Sequence, residues 1–465
     1  MRRLIVRTIL YYFRFLAKLS LKRHKPIIIG IAGSVGKTTC RNALLAILID
    51  HYSVKAIGNS ETGVPLGILG IIPKEFSPLE WVKIIIKAPF GINHIKNTKY
   101  LIVEMGIDEP YPPKNMSYLL SILHPDIAIS LNVSVFGATP SHAMQFEKLL
   151  RGKNVLDVHE YLLEAIANED TKIIRESGCK IGIYNIDDLY IQKLLIPFEK
   201  SHLETKIFTF GKSRENDVSY LKHEVGLDGT IFQMNIKIDG KNHKVELRFS
   251  NMLLPKEYQE IFGASILAAL QTDISLEEIC NSLVDNFISP KGRASMFAGI
   301  NNTVLIDSSY NASRASMVAF LDMAKQIKVQ TKRDLVVLFG DMRELGSESE
   351  AEHKQVASHM KDIVDYLFLV GTQTKEYIYP YFEGKGMLKE LKWFETSHDA
   401  GIYLKSNLPK NSLVLIKGSQ NTIYLEEAIK YILLNKEDMQ FLSRQGEYWN
   451  RVKNKQLYWQ TPLSR

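Results

Sequence analysis

The sequence predicts an α/β protein of two domains with mainly parallel sheets. Three observations predict it. A β-branched run at residues 27–29 leads into GIAGSVGKTT and then into an apolar stretch at helical spacing. Strand-like and helix-like segments alternate from Pro26 to about Pro290. Around SPKGR (residues 289–293) the pattern resets, and further strand-like runs follow, each with a helix-like segment behind it. A chain of 465 residues has room for two or three domains, each with its own core.

The first element is basic. Residues 1–25 hold eight Lys or Arg and no acid. Without them the chain has 50 basic against 51 acidic residues, so the net +7 is local and no general nucleic-acid-binding character remains. At 100° per residue, Arg3, Arg7, Arg14, Lys18, Lys22 and Lys25 fall on one side of a helix, and Ile5, Ile9, Tyr12, Phe13 and Leu16 on the other. The apolar runs are too short to span a bilayer, and no small-residue cleavage site follows. Two expectations stand side by side. The helix lies on an anionic membrane surface, or it packs its apolar face on the protein body.

Next come strand, glycine loop and helix. A longer phosphate loop would need glycine at position 31, which is Ile31; here Gly33 and Gly36 give the shorter G-x-x-G-K-T-T. Free N–H groups of such a loop and of the first helical turn face an anion, aided by the helix dipole. Lys37 then reaches the outer phosphates and the Thr38 hydroxyl faces Mg²⁺. Strands are expected at YLIVE (100–104), IAISL (127–131) and 182–185. Residues 213–249 alternate apolar and polar with DG turns, and read as antiparallel hairpins. In the second domain the strands are NTVLIDSSY, RDLVVLFGDM, YLFLVG and SLVLIKGS. After Asn435 the chain is polar with scattered aromatics. Cys40, Cys179 and Cys280 are far apart, in no metal spacing, and read as small buried apolar residues in a reduced compartment. Two α/β domains, one with a phosphate loop, suggest an enzyme that closes its active site between domains.

Several segments together resemble the Mur ligase family, the ATP-dependent amide ligases of peptidoglycan precursor synthesis, and within it the branch that adds D-alanyl-D-alanine. Residues 33–39 match the family's G-[ST]-x-G-K-T-T loop. GNSETGVPLGIL (58–69), VEMG (103–106), HPDIAISLNVS (124–134) and YNIDD (184–188) are similar to its further landmarks. So are KGR, LIDSSYNAS, GDMRELG followed by His353, and IKGS, in the family's order.

The resemblance implies a P-loop central ATPase domain with a mainly parallel sheet (26–290) and a Rossmann-like C-terminal α/β domain (291–435). The basic helix (1–25) precedes them and a polar tail (436–465) follows. It implies ATP and Mg²⁺, an acyl-phosphate intermediate, and attack by an amine. Gly33, Ser34, Val35, Gly36, Lys37, Thr38, Thr39, Arg293 and Asp307 bind ATP; Thr38, Glu104 and a carbamylated Lys153 serve the metal; Lys37, His142 and Lys153 are catalytic; Tyr310 and Asn311 line the substrate cleft. The spacing from Glu147 to Lys153 fits the family, whereas that from Asn132 to His142 is longer than usual. The partners implied are a cell-wall precursor peptide and an amino acid or dipeptide, D-Ala-D-Ala by branch, in the cytoplasm or at the inner face of its membrane. Other readings are a related ligase on another carboxylate, of poly-amino-acid or folate type, and a non-catalytic ATP-binding homologue. The sequence also departs from the family. Tyr258 and Gln259 stand where a His-Asn pair is usual, Ser308 replaces a second Asp, and Gln420 replaces an Arg. The loop begins after only 32 residues, too few for the usual front domain that grips a UDP-sugar.

Overall fold

The computed structural model describes residues 2–73, 78–134, 146, 149, 158–343, 345, 348–419 and 422–459. Two compact units divide the chain. The first comprises Met1–Lys222, Phe232–Leu247 and Gln259–Ile288; the second comprises His223–Ile231, Arg248–Tyr258 and Ser289–Arg465.

A nine-stranded sheet begins in the first unit, in the order β2-β3-β1-β4-β5-β6-β7-β8-β9. Its strands are β1 (Ile27–Ala32), β2 (Val54–Ile57), β3 (Tyr100–Glu104), β4 (Ile127–Ser130), β5 (Ile181–Asn185), β6 (Lys206–Gly211), β7 (Val218–Gly226), β8 (Gly229–Ile238) and β9 (Lys241–Ser250). From β2 to the start of β7 the pairings are parallel. Strand β1 is central, with Gly30 opposite Val103 on one side and Ala128 on the other. Such strands are buried on both faces, which is why IIIGIA and YLIVE are almost continuously apolar. The expected hairpins are β7–β9. Asp239 and Gly240 both have positive φ (48° and 76°), as a two-residue hairpin turn between twisted strands requires.

The helices of this part are α1 (Arg2–His24), α2 (Lys37–Leu48), α3 (Gly63–Ile68), α4 (Pro78–Lys87), α5 (Met116–Leu120), α6 (Val158–Asp170), α7 (Lys172–Arg175), α8 (Leu189–Ser201), α9 (Tyr258–Ala269) and α10 (Leu276–Asn286). Of the two expectations for residues 1–25, packing is what the structure has. Phe13 and Leu16 are buried in a cluster with Leu66, Leu69, Ile84 and Ala88, and Ile9 and Tyr12 pack against it. Tyr12 Oη donates to Ile85 O (3.1 Å), and Ser20 Oγ to Ile92 O (2.7 Å). The apolar side of α1 assigned to lipid is therefore covered by protein, because α3 and α4 offer it an apolar surface of their own. Among the described residues no helix is long and apolar enough to cross a membrane.

The second unit holds a six-stranded sheet, order β10-β11-β15-β12-β13-β14. It is made of β10 (Ser295–Gly299), β11 (Thr303–Ser308), β12 (Leu335–Gly340), β13 (Tyr366–Val370), β14 (Glu390–Phe394) and β15 (Leu413–Lys417). All pairings are parallel except β10 with β11. The four expected strands are present; β10 and β14, more polar edge strands, carried no clear apolar run. The helices are α11 (Arg314–Thr331), α12 (Ser349–Met360), α13 (Tyr379–Phe382), α14 (Ser397–Asn407), α15 (Glu426–Ile432) and α16 (Glu447–Trp459). The polar stretch after Asn435 docks on this unit: Arg444 is buried, with Nη2 2.6 Å from Glu426 Oε2, and Lys453 Nζ is 2.9 Å from Glu426 Oε1.

Candidate active site

The chain leaves β1 at Gly33, in a left-handed conformation (φ 136°). A Cβ there would lie 3.0 Å from Leu131 Cβ and 3.2 Å from the Asn132 backbone, so both φ and space demand glycine. Gly36 (φ 91°) is the N-cap of α2 and offers no side-chain cap. The N-cap residue thus places no side chain over the helix's positive end, the arrangement that receives a phosphate.

The exit of β4 holds the loop in shape. Asn132 Oδ1 accepts Val35 N (2.9 Å), and its Nδ2 donates to Val35 O (3.0 Å). Ser34 N donates to Asn132 O (2.9 Å). Ser34 Oγ donates to Ser134 O (3.0 Å) and accepts Ser134 N (2.8 Å). Asp188 in turn accepts Val133 N (2.7 Å) through Oδ2 and caps α8 through Oδ1. The loop is therefore shaped before any ligand arrives.

Charge is concentrated around it. Lys37 Nζ folds over its own loop, donating to Gly33 O and to Ser34 O (3.3 Å). Thr38 Oγ1 donates to Glu104 Oε2 (3.0 Å), and Arg41 Nη1 lies 2.7 Å from Glu104 Oε1. Glu104 is buried at the end of β3, beside the end of β1. A hydroxyl and a carboxylate are hard oxygen donors. Beside an uncapped helix start they fit Mg²⁺ held together with phosphate oxygens, since this ion seldom uses an all-protein cage. Among the described residues no group of three or more His, Cys, Asp or Glu gathers as a metal cage. Asp170, at the end of α6, is also buried here. Burial pushes its carboxyl up to about 7, Lys37 and a bond from the Gly33 N–H oppose the shift, and neighbouring Glu169 adds to it. His142, Glu147 and Lys153 lie outside the described residues. Cys40 and Cys179 are buried and Cys280 partly so, and burial pushes the Cys40 thiol up to about 12.

In the second unit a cluster forms at the carboxyl ends of β11 and β15, where α/β sheets bind ligands. Asp307 is fully buried, and Oδ1 accepts Ser309 N (2.9 Å). Its Oδ2 and the Ser309 hydroxyl lack well-formed partners, and burial raises the carboxyl to about 6. Lys417 ends β15, opposite Ser308. Its Nζ donates to Asn311 O (2.8 Å) and Ser308 Oγ (3.2 Å). Burial lowers the ammonium to about 7, with Arg293 adding and Asp307 opposing. The Arg293 guanidinium lies 4.9 Å from the Tyr310 ring centroid, and that of Arg444 lies 5.4 Å from it. Arg444 also donates to Ser309 O (3.0 Å) and Tyr310 O (3.2 Å). His353 is buried and serves structure: Nε2 accepts Met342 N (3.0 Å) and Nδ1 donates to Ser349 O (2.7 Å). Burial lowers its pKa and keeps the ring neutral. Tyr258 and Gln259 are both buried.

The structure thus brings together Lys37, Thr38 and Glu104 in one unit, and Arg293, Asp307, Tyr310 and Asn311 in the other. Sequence reasoning missed Arg41, Asp170 and Arg444, which no motif marks. Asn132 and Lys417 lay inside quoted segments but had been given no role.

Known proteins resemble this chain in sequence and in fold. Residues 292–420 match the family described as Mur ligase, glutamate ligase domain. The chain is 26% identical over 426 residues to the UDP-N-acetylmuramoyl-tripeptide–D-alanyl-D-alanine ligase of Rickettsia prowazekii, covering 90% of this chain and 81% of that one. The protein of the same name from Bacillus subtilis is 25% identical over 430 residues, covering 90% and 78%. Among solved structures, a MurF ligase from Thermotoga maritima in complex with ADP is similar with a TM-score of 0.67, at 17% identity over 92% of this chain and 84% of that one. A MurF from Acinetobacter baumannii gives 0.67 at 20% identity, over 91% and 80%. At such identities the structures speak for the fold. Together these matches show a Mur ligase domain at residues 292–420 and, along most of the rest of the chain, a likeness to the ATP-dependent Mur ligases.

Proposed function

We propose that the protein joins a dipeptide, D-Ala-D-Ala, through its amine to the terminal carboxylate of a UDP-linked muramoyl peptide, at the expense of ATP, in the cytoplasm. The observation that carries this reading is the Thr38–Glu104 pair beside the uncapped start of α2. The names of the relatives supply the substrates.

The carboxylate oxygen attacks the γ-phosphorus of ATP, ADP leaves, and an acyl phosphate forms. The amine then attacks the acyl carbon, loses a proton, and expels inorganic phosphate as the amide bond closes. Loop N–H groups and Lys37 stabilise charge on the transferring phosphoryl group, with Lys37 Nζ exchanging its loop carbonyls for phosphate oxygens. Thr38 and Glu104 would hold Mg²⁺, with a carbamylated Lys153 as a further ligand, and the ion would supply neutralisation of phosphate charge. In the second unit Asp307 Oδ2 is an acceptor for ribose hydroxyls, Arg293 suits a phosphate, and Tyr310 and Asn311 border the cleft. His142 completes the catalytic set. In this reading residues 26–290 are the ATP-binding domain and 291–435 the C-terminal domain.

The test is to incubate the protein with ATP, Mg²⁺, UDP-linked muramoyl tripeptide and D-Ala-D-Ala. Phosphate release that needs both substrates, with a product of the combined mass less one water, is expected. Release with neither substrate, or with a different carboxylate only, would overturn the assignment.

A further inference from the structure

We propose that α1, α4 and the 3₁₀ turn Ala88–Asn93 together form a seat for an anionic lipid surface, using faces other than those that hold them to the protein. Helix α1 spends Phe13 and Leu16 on the protein interior. Its opposite face is still apolar: Tyr11, Phe15 and Leu19 recur every four residues and are exposed, Phe15 at 56%. Helix α4 repeats the pattern. Ile84 is buried, while Leu79 (76%), Val82 and Ile86 (63%) are exposed, and Phe90 in the following turn is exposed at 84%. A large apolar side chain exposed singly is ordinary; this many on two touching helices is not.

The two helices are tied to each other directly. Phe13 and Trp81 have ring centroids 6.3 Å apart, and Tyr12 Oη donates to Ile85 O (3.1 Å). Ser20 Oγ, about two turns further along α1, anchors the 3₁₀ turn through Ile92 O (2.7 Å).

Charge selects the occupant. Residues 1–25 carry eight basic side chains and no acid, and residues 78–99 carry four basic (Lys83, Lys87, Lys96, Lys99) and one acidic (Glu80). Lys18 and Lys22 on α1, and Lys83 and Lys87 on α4, are exposed beside the apolar residues. A protein partner would have to bury these ammonium groups or pair each one. A bilayer with anionic headgroups takes the ammonium groups at headgroup level while aromatic and aliphatic side chains enter the acyl boundary. Among the described residues no helix is long and apolar enough to cross a bilayer, so the proposed contact is peripheral and salt-sensitive.

The experiment uses the full chain, because deleting residues 1–25 would uncover Leu66, Leu69 and Ile84. Vesicles of phosphatidylcholine with phosphatidylglycerol, and of phosphatidylcholine alone, are sedimented with the protein at low and high salt. Binding to the anionic vesicles at low salt is expected, at least tenfold weaker on neutral vesicles or at high salt. The triple variant Phe15→Ser, Ile86→Ser, Phe90→Ser should lose binding at least tenfold with its melting temperature and circular dichroism kept. Lys83→Glu with Lys87→Glu should weaken binding to anionic vesicles alone. Wild type that stays in the supernatant, or a triple variant that sediments like wild type, overturns the proposal. So does self-association in analytical ultracentrifugation that the triple variant abolishes while vesicles bind nothing, since the face would then belong to a second copy of the chain.

Discussion

The phosphate loop of the first unit and the Lys417 cluster of the second are two ways of holding charge at the end of a parallel sheet. The loop is made from backbone: two left-handed glycines, an uncapped helix start, and one asparagine that fixes Val35 from both sides. The cluster is made from side chains: a buried carboxyl, a buried amine and two guanidinium groups around one ring. A site made of backbone depends on conformation and keeps few charges to remove. A site made of buried side chains depends on every partner being present, since each loss strands another charge.

The largest effect should come from the one cation of the loop. Lys37→Ala is expected to lower turnover by about a hundred- to a thousand-fold, the usual scale for a lost stabiliser of developing charge, with the melting temperature kept. Near-normal turnover in the folded variant would break the contrast at its first term. Next, Arg444→Met should destabilise the second unit by about 3 kcal/mol in denaturant unfolding, because Glu426 stays buried with Lys453 alone. A loss below about 0.5 kcal/mol would mean that Lys453 satisfies the carboxylate unaided. Asn132→Ala removes both bonds to Val35 and should cost about 1–2 kcal/mol, with KM for ATP rising more than kcat falls. A pure kcat effect would place Asn132 in the chemistry instead of in the loop's shape.

The smallest effects are in pH dependence, and their signs differ. Native Asp170 keeps its proton up to about pH 7, whereas its ordinary value is 3.8. Between these values the native state binds more protons, so this group makes stability fall as pH rises, by at most about 1.4 kcal/mol per pH unit. Native Lys417 loses its proton near 7, against 10.5 ordinarily. Between 7 and 10.5 the unfolded state binds more protons, and stability rises with pH. Asp170→Asn should flatten the acid window and Lys417→Met the alkaline one, each leaving the other unchanged in parallel unfolding curves. Unchanged slopes in a variant would mean that its group ionises as in water.

The same contrast explains what could be read in advance. The loop is contiguous, and each of its demands leaves a residue in place: Gly33 and Gly36 for φ, Lys37 and Thr38 for phosphate and metal. Strands β1, β3 and β4 were legible because burial on both faces forces unbroken apolar runs. Asp170 comes 133 residues after Lys37 and carries no pattern of its own; only folding reveals that it is buried beside the loop. Helix α1 shows another limit. Its periodicity disclosed an apolar face but not what covers it, because α4 supplies the matching surface from far along the chain, Ile85 lying 73 residues after Tyr12.

Arg444 reaches back 134 positions to the Tyr310 carbonyl. In order of synthesis, the loop site can form while much of the second unit is still unmade. The cluster around Tyr310 has to wait until the ribosome has translated past Arg444 and Lys453 and their side chains have left the exit tunnel. A chain ending at Leu434 would contain Arg293, Asp307, Tyr310, Asn311 and Lys417, and would still leave Glu426 facing the interior without either cation. Such a fragment carries a destabilising buried charge that the finished chain neutralises.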